Sequence, residues 1–160
     1  MGVTVRVGVA VPGHRYRMDS QPLVAQDATG DPGEVRHTDL GSDPQAACRG
    51  RAAARQSLLD WQLPALVDNV VLAVSELVGN ALQHGAPPVG LTMRHLREQV
   101  HVEVHDDDPS EPPLRPFLPD ATTESGRGLA IVTAVADHLT YDQVPGDGKI
   151  VRASFRTDGA

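Results

Sequence analysis

The order of elements along this sequence predicts an α+β fold: a two-layer sandwich of a mostly antiparallel mixed sheet with helices packed on one face. Three observations carry that expectation. Val67, Val70, Val71, Val74, Leu77, Val78 and Ala81 fall three and four apart, the period of one buried helical face. Val89, Leu91 and Met93 alternate, and so do Val100, Val102 and Val104, as in strands with one face on a core. Helices and strands do not repeat as regular βαβ units, which argues against a doubly wound parallel sheet.

Taken in order, the chain opens with a strict alternation at Val3, Val5, Val7, Val9 and Val11, read as an extra strand or a loose tail. Residues 12–33 are rich in Gly, Pro, Asp and Gln and read as a linker, so 1–33 forms an N-terminal extension and 34–157 the domain proper. Residues 35–40 are its first strand. A helix then starts either with Ser42 capping and Gln45 three residues on, or with Asp43 capping and Pro44 at the first helical position. It runs to about residue 62, with Ala47, Ala54, Leu58 and Trp61 inward and Arg49, Arg51 and Arg55 in solvent. Pro64 breaks it and opens the second helix, which ends at Gly85 and the Pro87-Pro88 pair. Gly79 inside that helix costs about 1 kcal/mol against alanine and reads as a close approach or as tolerated chance.

The two alternating runs at 89–93 and 100–104 form a hairpin turning near Arg97-Glu98-Gln99. Residues 107–125 carry five prolines and read as a lid or a disordered segment. Gly128 or Leu129 begins a helix to about residue 136, and 138–143 with 150–156 form a closing hairpin around Pro145-Gly146-Asp147-Gly148.

Composition narrows the function. One domain with a sizeable core suits 160 residues, and with aromatics at 3% that core must be aliphatic. A formal charge of −7 argues against a general nucleic-acid binder. The single cysteine, Cys48, forms no internal disulfide and fits a reducing cytoplasm. No apolar run approaches the ~18 residues of a membrane span, and residues 1–12 lack the apolar core of a signal peptide. Neither membrane nor nucleic acid is an expected partner.

The second helix also has a polar side. Glu76 and Asn80 stand four apart and stack on a face pointing away from Val74 and Val78. A carboxylate can accept a proton and an amide oxygen can sit on a hard cation such as Mg²⁺; the plainer reading is a solvated helix surface. Downstream, Gly126 and Gly128 flank Arg127 at a helix start, where backbone N–H groups favour an anion; a simple loop closure explains them equally.

Glu76-Leu77-Val78-Gly79-Asn80-Ala81-Leu82-Gln83-His84 resembles the N-box of the GHKL (Bergerat-fold) ATP-binding family, which includes DNA gyrase, histidine kinases and anti-sigma-factor serine kinases. Gly126-Arg127-Gly128-Leu129 resembles that fold's second glycine box, and Val102-Glu103-Val104-His105-Asp106 the strand ending in its adenine-binding aspartate. The three motifs stand in the family's order, and the small actinobacterial anti-sigma serine/threonine kinase branch is the most similar. The resemblance covers about residues 40–155. It implies ATP and Mg²⁺ as cofactors, Asn80 on the metal, Asp106 on the adenine amino group and Glu76 taking the proton of an acceptor hydroxyl. It places Gly126, Arg127, Gly128 and Leu129 at the phosphates, with Arg127 reaching a phosphate or pairing with an acidic neighbour. His84 completes the pattern as a capping or packing residue. Lys149, at the family's terminal Gly-Lys position, either assists with nucleotide charge or is a solvated hairpin lysine. The implied partners are a sigma factor and an anti-anti-sigma (STAS-type) protein, with a homodimer expected from the family.

One departure stands out: Asp106-Asp107-Asp108 replaces the glycines that usually follow the aspartate, and three carboxylates repel phosphate unless two turn away. Three functions compete: a protein serine kinase that also sequesters a sigma factor, a nucleotide-dependent binding regulator without phosphotransfer, and a metal-dependent hydrolase built on His105 and Asp106–Asp108. The motifs favour the first.

Overall fold

The computed structural model describes residues 4–7, 33–110, 127–144 and 146–157. The linker expected at 12–33, except its last residue, the proline-rich stretch from 111 to 125, Gly126 and Pro145 lie outside the described residues.

Six strands form one sheet: β1 (Thr4–Val7), β2 (Glu34–Gly41), β3 (Val89–Leu96), β4 (Gln99–Asp106), β5 (His138–Gln143) and β6 (Lys149–Arg156). Their spatial order is β1-β5-β6-β4-β3-β2, and every described pairing is antiparallel. Three helices, α1 (Ala46–Asp60), α2 (Val67–His84) and α3 (Arg127–Val135), complete the α+β sandwich. Of the valine alternation at the start of the chain, the described part, Thr4–Val7, is a strand, β1, paired with β5.

Strand alternation sorts side chains between the two faces. Val100, Val102, Val104 and Asp106 of β4, with Lys149, Val151, Ala153 and Phe155 of β6, point toward the helices, and all are buried. Val70, Val74, Leu77, Val78 and Ala81 of α2 meet the apolar members of that set in one core cluster, as their three-four spacing predicts. The cluster is largely aliphatic, with Trp61, Tyr141 and Phe155 as its aromatic members.

The first helix ends differently from expectation. Gln62 adopts φ 61°, Leu63 N–H donates to the Leu58 carbonyl at 2.8 Å, and Gln62 N–H to Leu59 at 3.1 Å. This is a Schellman stop made without glycine, ahead of Pro64, which opens a short 3₁₀ turn, Pro64–Leu66. At the other end the N-cap of α1 is Gln45 with no side-chain cap, so neither Ser42 nor Asp43 caps the helix as expected; Asp43 Oδ1 accepts the Gln45 N–H at 2.8 Å in the turn that precedes it.

The stretch from Pro64 to His84 is long and apolar enough to cross a membrane by length and composition, which corrects the expectation that no such run exists. Asp68 and Glu76 interrupt it for the eye. Its apolar stripe is spent on the sheet instead, where Val70 and Val74 are completely buried.

Candidate functional site

Asp106 is the last residue of β4, and Lys149, the first of β6, lies directly opposite it in the ladder. Both side chains turn toward the helices and both are buried, at 2% and 5% exposure. Lys149 Nζ donates to Asp106 Oδ1 at 3.0 Å and to the Asp108 carbonyl at 3.1 Å. Asp106 Oδ1 also accepts the Asp108 N–H at 3.0 Å. The pairing is held by the turn before it. Gly148 has φ 81°, and a Cβ there would collide with the Asp106 backbone carbonyl, so only glycine brings the chain into β6 at this register. Asp107 N–H donates to the Ala86 carbonyl at 2.8 Å, tying the end of β4 to the segment that leaves α2.

The run of three carboxylates divides. Asp108 turns to Lys149, with Oδ2 at 3.4 Å from Nζ, and to Ser110, whose hydroxyl donates at 2.6 Å. The Ser110 hydroxyl and N–H, with Lys149 nearby, hold the Asp108 carboxyl below its usual range. Asp107 is exposed, on the side of His105. One carboxylate is thus neutralised by pairing and another faces solvent, which relieves the repulsion that three adjacent acids would impose on phosphate.

Glu76 and Asn80 lie one turn apart on α2, as their spacing requires, and the start of α3 comes up against them. A Cβ on Gly128 would stand 2.7 Å from Glu76 Oε2 and 3.4 Å from both amide atoms of Asn80. Only the missing side chain allows that approach. Asn80 Nδ2 is buried with no hydrogen-bond partner. A buried amide without an acceptor costs about 1–3 kcal/mol, so the site holds a polar group that an incoming oxygen would satisfy.

Asn80, Asp106, Leu129 and Lys149 line one cavity, together with His84 and Ser110 and an apolar wall that includes Leu77 and Val104. Its volume is about 50 Å³. Glu76 is not among the lining residues but reaches the same place through Gly128. Of the expected site residues, Glu76, Asn80, Asp106, Gly128, Leu129 and Lys149 therefore converge. Arg127 begins α3, its side chain outside the described residues, as is Gly126. Sequence reasoning counted Leu77 and Val104 as core and His84 as a capping or packing residue; Leu77 three residues before Asn80, His84 four after it and Val104 two before Asp106 were the available signal that they share its wall.

The lone-amide and glycine cradle fits an anionic ligand with a hard cation, and the Asp106–Lys149 end fits a polar base. A metal centre on His105 fits poorly. His105 and Asp106 point to opposite faces of β4, and Asp106 and Asp108 are taken by Lys149. His105, Asp107 and Asp147 do approach one another closely, but His105 Nε2 already meets the Asp147 backbone carbonyl at 2.7 Å. Donation to that carbonyl occupies Nε2 and leaves only Nδ1 of the ring with a lone pair.

A protein-family model described as histidine kinase-like ATPase domain matches residues 42–155. No curated protein matches the chain. Among solved structures, the chain is similar to the RsbU and RsbW domains of Rv1364c from Mycobacterium tuberculosis, with a TM-score of 0.57, 22% identity, and coverage of 78% of this chain and 32% of that one. It thus spans about a third of that protein, and the likeness is one of fold. A second match, the Acinetobacter baumannii histidine kinase AdeS, has a TM-score of 0.45 and 14% identity over 82% of this chain and 71% of that one. With the family model spanning most of its length and the three motifs gathered at one cavity, the chain belongs to the histidine kinase-like ATPase domain family.

Proposed function

We propose that this chain is an anti-sigma-type regulator: an Mg·ATP-dependent protein serine kinase that phosphorylates a small anti-anti-sigma partner and sequesters a sigma factor. The observation that carries the reading is the close approach of Gly128 to both Glu76 and Asn80, at the edge of the cavity that ends in Asp106 and Lys149. The partner classes rest on the N-box resemblance. The catalytic domain is residues 34–157.

Bound Mg·ATP would supply the transferable phosphoryl group and the cation that offsets its charge. The chain's own work is then mostly positioning, as in phosphoryl transfer generally. Asn80 offers its amide to the metal and phosphate end. Arg127, Gly128 and Leu129 open α3 and bring its first N–H groups to the same end, where the helix dipole favours negative charge; the resemblance adds Gly126 to them. Asp106 accepts from the base amino group at the closed end. Glu76, with a carboxylate oxygen against Gly128, accepts the proton of the partner's serine hydroxyl. The apolar wall of Leu77, Val104 and Val151 covers the base and excludes water.

Calorimetric titration with Mg·ATP tests the pocket. Asn80→Ala should weaken binding by about 10–100-fold while leaving the fold intact. Transfer is tested with γ-labelled ATP and a purified anti-anti-sigma protein. Glu76→Ala should lower transfer by about 10²–10⁴-fold with nucleotide affinity nearly unchanged. Undiminished transfer in that variant removes Glu76 from its role. Tight binding with no transfer by the wild type would leave a nucleotide-dependent binding regulator in place of a kinase.

A further inference from the structure

We infer that the cavity on the sheet face turned away from the helices is a second binding site, one that takes a guanidinium group. The inference does not rest on the nucleotide reading above.

The ladder sets two cross-strand rows side by side on that face. One is His37, Thr92 and Glu103; the next is Asp39, Gly90, His105 and Ile150. Gly90 leaves the middle of the second row without a side chain, and its neighbours enclose a cavity of about 210 Å³ there. His37 leans over the same gap: a Cβ on Gly90 would stand 3.3 Å from its Cε1. A 3.1 Å hydrogen bond between Nδ1 and the Thr92 hydroxyl holds that ring. His105, across the gap, is held by donation from Nε2 to the Asp147 carbonyl at 2.7 Å. Asp39 is held as well, its Oδ1 accepting the Gly41 N–H at 3.0 Å. The polar walls are thus fixed before any ligand arrives, which lowers the cost of binding one.

Charge and shape then name the ligand. Two carboxylates line the cavity: Asp39, exposed at the sheet edge, and Glu103, buried at 3% exposure. No lysine or arginine lines it among the described residues. Arg94 and Arg152 offset Glu103 from outside the lining. Asp39 has no such partner among the described residues, and its Oδ2 meets no described donor. Asp107 and Asp147, close to His105, add two further acids. The local field therefore favours a cation. The cavity is far too wide for a single metal ion, whose ligands stand only about 2.0–2.6 Å away. An ammonium is a compact, strongly hydrated point charge, whereas a guanidinium is flat, weakly hydrated and forked to match a carboxylate. A slot with a bare backbone floor at Gly90, an imidazole at its side and a carboxylate at its rim suits the flat cation.

The test is an NMR titration of the isotope-labelled full chain without nucleotide. The probes are ethylguanidinium, its neutral isostere ethylurea, and sodium chloride at matched ionic strength. Ethylguanidinium should give saturable amide shifts centred on Gly90, Thr92 and His105, and ethylurea should bind about tenfold more weakly or worse. Asp39→Asn keeps an acceptor for the Gly41 N–H and removes only the charge. Ethylguanidinium should bind that variant about tenfold more weakly, with thermal melting confirming the fold. A short blocked peptide carrying one arginine separates the two sources of the group. Binding of the peptide as tightly as ethylguanidinium supports an arginine on another protein, and binding of ethylguanidinium alone supports a free solute. Shifts that fail to saturate, or that ethylurea or sodium chloride reproduces, overturn the inference, and this arm needs no variant. Undiminished binding by folded Asp39→Asn overturns it too.

Discussion

Strands β4 and β6 carry two acid–base pairs in one ladder: Glu103 faces Arg152 and, three residues on, Asp106 faces Lys149. An odd spacing puts them on opposite faces of the sheet. All four side chains are buried or nearly so, yet the two pairs differ in how completely they are satisfied. Glu103 Oε1 accepts from Arg152 at 2.8 Å, and both its oxygens lie 3.3 Å from Arg94 Nε. Arg152 also faces Asp142 at 3.6 Å. Both oxygens of that acid are engaged, although Arg94 Nη1 is buried without a partner and Glu103 also lines a cavity of about 210 Å³. Asp106 keeps one oxygen without a protein donor and borders a cavity. Burial of charge and an adjoining cavity are common to both faces; a carboxylate oxygen that no protein donor reaches is what separates the Asp106 pair from the Glu103 pair.

The sharpest way to break that contrast is Glu103→Gln. It leaves Arg94 buried without its counter-charge, while Arg152 keeps Asp142, and removing one partner of a buried pair costs about 3–5 kcal/mol. Urea denaturation should show the loss, while nucleotide affinity per folded molecule should hold. A variant that kept its stability but lost binding would reverse the roles assigned to the two faces. The same network predicts an acid dependence. Burial pushes the Glu103 carboxyl up, but Arg152 and Arg94 outweigh it and hold the group below its ordinary value of 4.5. A depressed folded-state value means stability fully present above the ordinary value and lost as pH falls through the depressed one. Wild type should therefore weaken on acidification below about 4.5, and Glu103→Gln should show less of that slope.

These two pairs also mark where sequence reasoning reached and where it stopped. Among the described residues, period found α2 and the β3–β4 hairpin, because each buries one face and writes that face into its spacing; the start of α1 was read from capping residues and the 3₁₀ turn Pro64–Leu66 was not anticipated. Glu76, Asn80 and Asp106 were legible through their motifs. Arg94 and Glu103 were not singled out, since a charged residue in a strand reads as solvent-facing until its cross-strand neighbour is known. The partner of Lys149 was hidden for the same reason: register, not composition, sets Asp106 opposite it. The end of α1 was misplaced because Gln62 takes a left-handed conformation that glycine usually signals.

On the site side, Gly128→Ala sharpens the comparison with a smaller expected effect. The new Cβ would stand 2.7 Å from Glu76 Oε2, and the flexible carboxylate, not the backbone, would give way. Stability should change by less than about 1 kcal/mol. Moving a reacting group by about 1 Å can cost 10²-fold, so phosphotransfer should fall by about that factor while nucleotide affinity falls less. Equal losses in both would mean that Gly128 serves the phosphates alone and that its approach to Glu76 is incidental.

The smallest effect expected is at Gly79, next to Asn80 on α2. The residue has none of the crowding found at Gly128: a Cβ there meets nothing within 4 Å. A mid-helix glycine with room to spare is a helix-propensity loss and nothing more, so Gly79→Ala should stabilise the chain by up to about 1 kcal/mol. Mg·ATP affinity should not move. The two glycines thus bracket the site, one required by close approach and one required by nothing in the chain itself. If alanine at 79 lowered nucleotide affinity, the space beside Asn80 would belong to the ligand. If it left nucleotide alone but lowered affinity for the anti-anti-sigma protein, that space would belong to the partner, and the exposed side of α2 would become part of the docking surface.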